Sequence, residues 1–344
     1  MTTAQDVLSV LNTITGGRMI ESAEAARGIE HPFVMMKSSG IYGKEVLEIP
    51  SLVYGDPDHP IKKIAVCMTM TELDIELAGA TGVDAIVAHH PVADAASCGG
   101  VTLRHYLDLY GLAVFECHEA FHGLHPGIAY LHGHRVLASD ISYGGIHGNV
   151  MFIGEPVDGV QTMGDMLTRL DSFMGLDDEV SLLEAERKLK QSDDIVDVSL
   201  VTRGRILVGD EQSPVSKILH IFPHTGFTKA HMQQAIRENP DVDTVLASIS
   251  RVYEGHELIQ TAKELGLNFV VGNCHVLEIL ENGMPLASAI QKLLPDAEVV
   301  VFRERVTSTP VNAVGGKALQ SYADKISQAH LTGENVLTFN TETS

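Results

Sequence analysis

The sequence predicts an α/β protein built from two similar βαβαβ units. Runs of β-branched and aliphatic residues alternate with segments of helical spacing from Ile61 onward. The same order of segments occurs twice, and each pass closes on Cys-His, at Cys117-His118 and at Cys274-His275.

Taken in order, Val7, Leu8, Val10, Leu11 and Ile14 fall at helical spacing with polar residues between them, unlike the unbroken apolar core of a signal peptide. The first unit then reads as a strand at 61–66, a helix at 72–80, a strand at 83–87 and a helix around 103–109. Gly111 stops that helix, and the strand at 112–115 follows. The second unit repeats this with a strand at 217–222, a helix at 229–237, a strand at 242–246, a helix at 257–265, Gly266 and a strand at 269–271. Between them, 150–174 reads as a strand and helix, and the charged run 184–194 as a solvated loop or surface helix. The expected organisation is a first α/β unit with its N-terminal segment over 1–145, an intervening segment over 146–216, a second unit over 217–311 that completes the site, and a C-terminal extension over 312–344.

With 45 acidic and 24 basic residues the formal net charge is −21, which repels phosphate backbones and anionic lipid surfaces, so neither nucleic acid nor membrane is an expected partner. Cys67, Cys98, Cys117 and Cys274 are too few and too dispersed for a disulfide framework. No apolar stretch approaches the ~20 residues that span a bilayer. A cytoplasmic protein is expected.

Three groups of histidines and acids follow predicted strands: Ala88-His89-His90-Pro91, Cys117-His118-Glu119-Ala120-Phe121-His122 and Cys274-His275-Val276-Leu277-Glu278. The carboxyl ends of strands are where open α/β sheets bind ligands, so a metal site is expected there. Neighbouring residues on a strand face opposite ways. Pro91, by ending the strand, would let both His89 and His90 face the crevice. His118-Glu119-x-x-His122 formally matches the H-E-x-x-H zinc motif, but it starts at a strand end and precedes Gly123 and Pro126, which favour a loop over the continuous helix that motif needs. Two imidazoles four residues apart can still face one point. His275 and Glu278 share a face if a helix begins there, Cys274 is an alternative soft ligand, and His256 could act in proton transfer or as a partner to a ligand. The glycine pairs Gly99-Gly100 and Gly144-Gly145 lack phosphate-loop spacing, and no nucleophile elbow is recognisable.

These residues resemble the Nif-three-like family, whose members are known as GTP cyclohydrolase 1 type 2 homologues. The resemblance is carried by Leu52-Val53-Tyr54-Gly55-Asp56-Pro57-Asp58, by Gly82-Val83-Asp84-Ala85-Ile86-Val87-Ala88-His89-His90-Pro91, and by a late segment from His256 through Ala262-Lys263-Glu264-Leu265-Gly266 to His275 and Glu278. It spans 50–311 and implies two interlinked α/β domains, a dinuclear divalent-metal site and a toroidal homohexamer. By position, His89 and His90 correspond to the paired histidine ligands, His118 to the histidine opening the family's H-T-N-x-D segment, and Glu278 to the late glutamate. This chain departs from the pattern at His122, where the family has a bridging aspartate. It also places Cys274, not His275, four residues before Glu278, and its first fifty residues fit the pattern poorly.

The expected function is a metal-dependent hydrolase acting on a small cyclic or amide C–N substrate. One or two divalent ions (zinc, iron or manganese) would be held by His89, His90, His118, His122, His275 and Glu278, with Glu119 or Glu278 as general base. The alternative is a non-catalytic metal-binding scaffold or metal-handling oligomer.

Overall fold

A computed structural model describes residues 1–21, 34–38, 45–90, 100–118, 120–146, 148–249, 252–303 and 305–328. The chain divides into a larger unit, Met1–Met174 with Thr202–Glu304, and a smaller one, Gly175–Val201 with Arg305–Ser344.

In the larger unit, α1 (Ala4–Ile14) opens on a capping box. The Thr3 hydroxyl accepts the Asp6 N–H, and the Asp6 carboxylate accepts the Thr3 N–H. An antiparallel pair, β1 (Met35–Ser38) and β2 (Glu45–Glu48), leads to β3 (Leu52–Tyr54). The first repeat follows as β4 (Lys63–Cys67), α2 (Glu72–Thr81), β5 (Ala85–Ala88), α3 (Gly100–Tyr110) and β6 (Ala113–Glu116). Next come α4 (Gly127–Leu131), β7 (His134–Asp140), β8 (Met151–Pro156) and α5 (Met163–Met174).

The smaller unit contributes α6 (Leu176–Lys190), β9 (Val196–Asp197) and α7 (Val198–Val201). The larger unit resumes with β10 (Arg205–Val208), and the second repeat runs β11 (Ile218–Ile221), α8 (Lys229–Glu238), β12 (Thr244–Ala247), α9 (Glu257–Leu265) and β13 (Asn268–Val271). It ends with α10 (Met284–Leu293) and β14 (Glu298–Val301). The smaller unit closes with β15 (Thr307–Ser308) and α11 (Lys317–Ile326).

The expected repeat is visible in the strand order. One sheet runs β14-β4-β5-β6-β3 and the other β10-β13-β12-β11-β8-β7. Counted from β4 and from β11, both place three parallel strands in sequence order and then an antiparallel edge strand that precedes them in the chain. In each repeat a left-handed glycine, Gly111 at φ +61° and Gly266 at φ +70°, turns the second helix into the third strand. The sheets are interlinked: β14, from the late part of the chain, pairs parallel with β4, while β8 pairs antiparallel with β11.

Burial follows the two-residue strand period. Ile64, Val66, Ala85, Val87, Ala113 and Phe115 face α1 and α10, whereas Ala65, Cys67, Ile86, Ala88 and Val114 face α2 and α3. Both faces being covered explains why Ala85–Ala88 is apolar throughout instead of alternating. The second sheet repeats this, with Leu219, Ile221, Val245 and Phe269 against α8 and α9, and Ile218, Leu246 and Val270 against α5.

In the smaller unit, the charged run read as a loop or surface helix belongs to α6. Asp177, Asp178 and Glu179 lie at its amino end and Arg187, Lys188 and Lys190 at its carboxyl end, each complementing the helix dipole. The C-terminal extension forms α11, which buries no residue. β9 and β15 pair antiparallel, and buried Asp197 accepts from Arg305 Nε at 2.8 Å. Among the described residues no helix is long and apolar enough to cross a membrane.

Candidate metal centre

The parallel strands of the first repeat end where the sequence places its histidines. The backbone ladder continues one step past β5, with His89 N–H donating to Cys67 O at 2.9 Å and His90 N–H to Met68 O at 2.7 Å, so both backbones are fixed as the strand finishes. Their rings lie 5.6 Å apart at 42°, and both reach Glu278: His89 Nε2 is 3.1 Å from Oε1 and His90 Nε2 is 3.2 Å from Oε2. Pro91, expected to enforce this geometry, lies outside the described residues, as does Glu119.

His118 follows β6. Phe121 N–H and His122 N–H both return to His118 O, at 2.9 and 3.3 Å, closing a single turn that brings the His118 and His122 rings to 4.3 Å. The spacing of H-E-x-x-H is thus used in a turn and not in the continuous helix of a zinc protease. Arg18, just beyond α1, donates Nη1 to His122 O at 3.2 Å and ties that turn to the N-terminal segment.

After β13, a 3-10 turn over His275–Leu277 meets a π-helical turn over Ile279–Gly283, and Glu278 sits at the junction. Such local widening is common at functional sites. His275 Nε2 lies 3.7 Å from Glu278 Oε2, and its ring stacks on His90 at 4.4 Å and 19°. Asn282, one turn on, donates Nδ2 to Glu278 Oε1 at 2.9 Å.

The six expected residues therefore gather into two donor groups, His89 with His118 and His122, and His90 with His275 and Glu278. Within each group the ligand atoms lie inside 4.8 Å of one another. Cys274 is buried but belongs to neither. His256 instead caps α9, its Nδ1 accepting the Leu258 N–H at 3.2 Å. Burial of Cys117, with the nearby Glu116 charge, pushes its thiol up to about 12, so it stays protonated.

Burial disfavours the charged form of both partners in the central pair. For His89 burial dominates over the bond and charge of Glu278, and the imidazole is held neutral. For Glu278 burial alone would raise the carboxyl, but the bonds and charges of His89 and His90 reverse this and hold it well below the usual range. Imidazoles gathered around one carboxylate form a nitrogen and oxygen donor set suited to zinc, iron or manganese. His89 Nδ1 makes no hydrogen bond to the described residues, so that ring keeps a spare donor atom in the interior. The residues present thus fit a divalent ion.

Residues that composition and spacing missed hold these ligands in place. Glu48, fully buried at the end of β2, lies with Oε1 2.9 Å from His118 Nδ1 and accepts from it, leaving Nε2 for the interior. Thr69 Oγ1 lies 2.7 Å from His90 Nδ1 and fixes that ring in the same way. Substituting Glu48→Gln is expected to weaken metal binding by roughly 10- to 100-fold, the usual effect of losing a carboxylate behind a ligating histidine. Competition with a chromogenic chelator measures this, and unchanged affinity would remove Glu48 from the assembly.

Residues 49–95 match the Duf34/NIF3 (NGG1p interacting factor 3) family. No curated protein matches the sequence. Among solved structures the chain is similar to reduced HcgD from Methanocaldococcus jannaschii, at 15% identity and a TM-score of 0.54, covering 87% of this chain and 97% of that one. It is also similar to a Bacillus cereus protein related to NIF3, at 12% identity and a TM-score of 0.54, covering 88% and 97%. A Staphylococcus aureus hypothetical protein aligns at 13% identity and a TM-score of 0.53, covering 87% and 96%. At these identities the likeness is one of fold.

Proposed function

We propose that this chain, a Nif3-like family member, is a metal-dependent hydrolase that turns a metal-activated water on a C–N bond of a small cyclic or amide substrate. The observation that carries the reading is Glu278, a buried carboxylate with one oxygen toward His89 and the other toward His90, at the meeting of the two donor groups. His89, His118 and His122 would hold one ion, and His90, His275 and Glu278 a second or a shared one. A bound divalent ion would lower the pKa of its water and polarise the bond to be broken.

The side chains supply the rest. His89 is already neutral, so it ligates without first losing a proton. Glu278 is engaged by His89, His90 and Asn282, which makes Glu119 the acid to test first as general base. The same reading includes a cytoplasmic homo-oligomer, a homohexamer by resemblance to the family. Its partner is a small molecule, with the net charge of −21 arguing against nucleic acid and membrane. A metal-handling scaffold is the second reading, favoured by the burial of His89, His90, His118 and Glu278, which suits retention of an ion better than exchange of a substrate.

Elemental analysis of protein purified without chelator, beside His89→Ala and His122→Ala, tests the centre, and both variants are expected to lose metal. A panel of cyclic amides and nucleotides tests the chemistry. Hydrolysis abolished in Glu119→Gln with metal retained supports the hydrolase, whereas no turnover by metal-loaded protein would leave the scaffold.

A further inference from the structure

A cavity of about 30 Å³ adjoins the candidate centre and shares His122 and Asn282 with it. Its remaining wall is largely apolar, with Ile128, Phe152, Phe222 and Ile249 the side chains that shape it. Thr225 also faces it, but its hydroxyl donates to Phe222 O at 2.8 Å and is already satisfied. We propose that this cavity receives a short apolar chain, a few carbons long, borne by the molecule bound at the centre, and that Ile249 sets the length admitted. The inference rests on the reading of His122 and Glu278 as part of a metal centre.

Ile249 stands at φ +50°, a backbone conformation that β-branched residues avoid. The other non-glycine residue at positive φ among those described, Gln191, is exposed at a helix end, so Ile249 is the buried one. Strain of this kind persists where the surroundings over-determine it, and it clusters at ligand sites.

Here the surroundings are two chains of buried hydrogen bonds behind the cavity wall. Ser248 Oγ lies 2.6 Å from His220 Nε2, and His220 Nδ1 lies 2.9 Å from His134 Nε2. The Ile249 N–H donates to Asn273 Oδ1 at 3.4 Å, and the Asn273 N–H donates to His132 Nε2 at 3.1 Å. His220 also stacks on Phe222 at 4.8 Å and 25°, while Phe152 stands edge-on to Phe222 at 5.7 Å. The residues flanking Ile249 in space are therefore locked from behind, and its side chain is presented to the cavity by a rigid support. A preformed apolar pocket beside convergent polar groups is the usual form of a specificity subsite. At roughly 10–15 Å³ of such space per water, the cavity holds two or three waters, room for a chain of a few carbons but little for a ring.

Hydroxamates, whose head chelates divalent metals, test this on zinc-loaded protein by calorimetric titration. From acetohydroxamate to butyrohydroxamate, binding is expected to tighten about fourfold per methylene, while benzohydroxamate gains nothing over acetohydroxamate. In Ile249→Gly, which suits the positive φ and opens the wall, benzohydroxamate should gain on the order of tenfold. Acetohydroxamate binding with no dependence on chain length would overturn the subsite and leave the metal centre standing. Binding of no hydroxamate would overturn the metal centre and the subsite with it. Xenon diffused under pressure into crystals of the metal-free wild-type protein should occupy the cavity. A cavity without xenon refutes the subsite independently of metal and of whether Ile249→Gly folds.

Discussion

Replacing Glu278 with glutamine is expected to weaken divalent-metal binding by more than about 100-fold, beyond what loss of a residue behind a ligand produces. The substitution preserves shape and removes charge. Glu278 is the one carboxylate in the two donor groups found among the described residues, so without it an ion would meet only neutral imidazoles. The amide would also turn an N–H₂ toward either His89 Nε2 or His90 Nε2, where the carboxylate now accepts at 3.1 and 3.2 Å. Chelator competition at pH 7 measures the loss. Metal retained at wild-type affinity would mean that the two histidine groups bind without the acid between them, and the reading of the centre would fail.

The second large effect is acid lability. Burial lowers the His132 imidazole to about 4 and that of His134 to about 3, and lowers His220 well below its ordinary value. Unfolded, each titrates near 6.5. Above that pH these groups are neutral in both states and stability is complete. As pH falls below it, the unfolded chain takes up protons that the folded chain refuses, and stability drops by about 1.4 kcal/mol per pH unit for each histidine.

Glu281 opposes this. Burial, with the charge of Glu278, raises its carboxyl well above the ordinary value, so its protonated form favours the folded state and its contribution is lost as pH rises. These three histidines less one acid give about two protons, and His89 and His125, also lowered by burial, add to the uptake, so the slope is roughly 3 kcal/mol per pH unit or steeper below pH 6.5. Urea denaturation from pH 7.5 to 5 in the presence of chelator reads this slope. His134→Gln should flatten it by about one proton, and an unchanged slope would show that His134 is not held neutral by the fold.

Much of the fold can be read locally because it is written locally. Ala85–Ala88 is apolar throughout because both faces are covered, and Gly111 and Gly266 stop their helices through their own backbone freedom. His89, His90, His118, His275 and Glu278 were legible because strand ends in an α/β sheet converge by topology, whatever the details of packing.

Glu48 was not legible, since its bond to His118 spans seventy positions and depends on where a short hairpin lies. Asn282 could have been found one helical turn after Glu278, had the widened turn there been anticipated. The His134–His220–Ser248 chain was hidden for another reason. Each member sits in or beside an apolar strand, and only lateral strand pairing brings them together.

The place of β14 bears on how the molecule can come into being. Val299 pairs with Ile64 and Val301 with Val66, so the apolar edge of β4 stays open until more than two hundred further residues have left the ribosome. An uncovered edge of that kind invites pairing with other nascent chains. The repeat looks divisible into two halves, yet each half draws strands from the other, β14 beside β4 and β8 beside β11, so halves expressed apart are expected to leave those edges open.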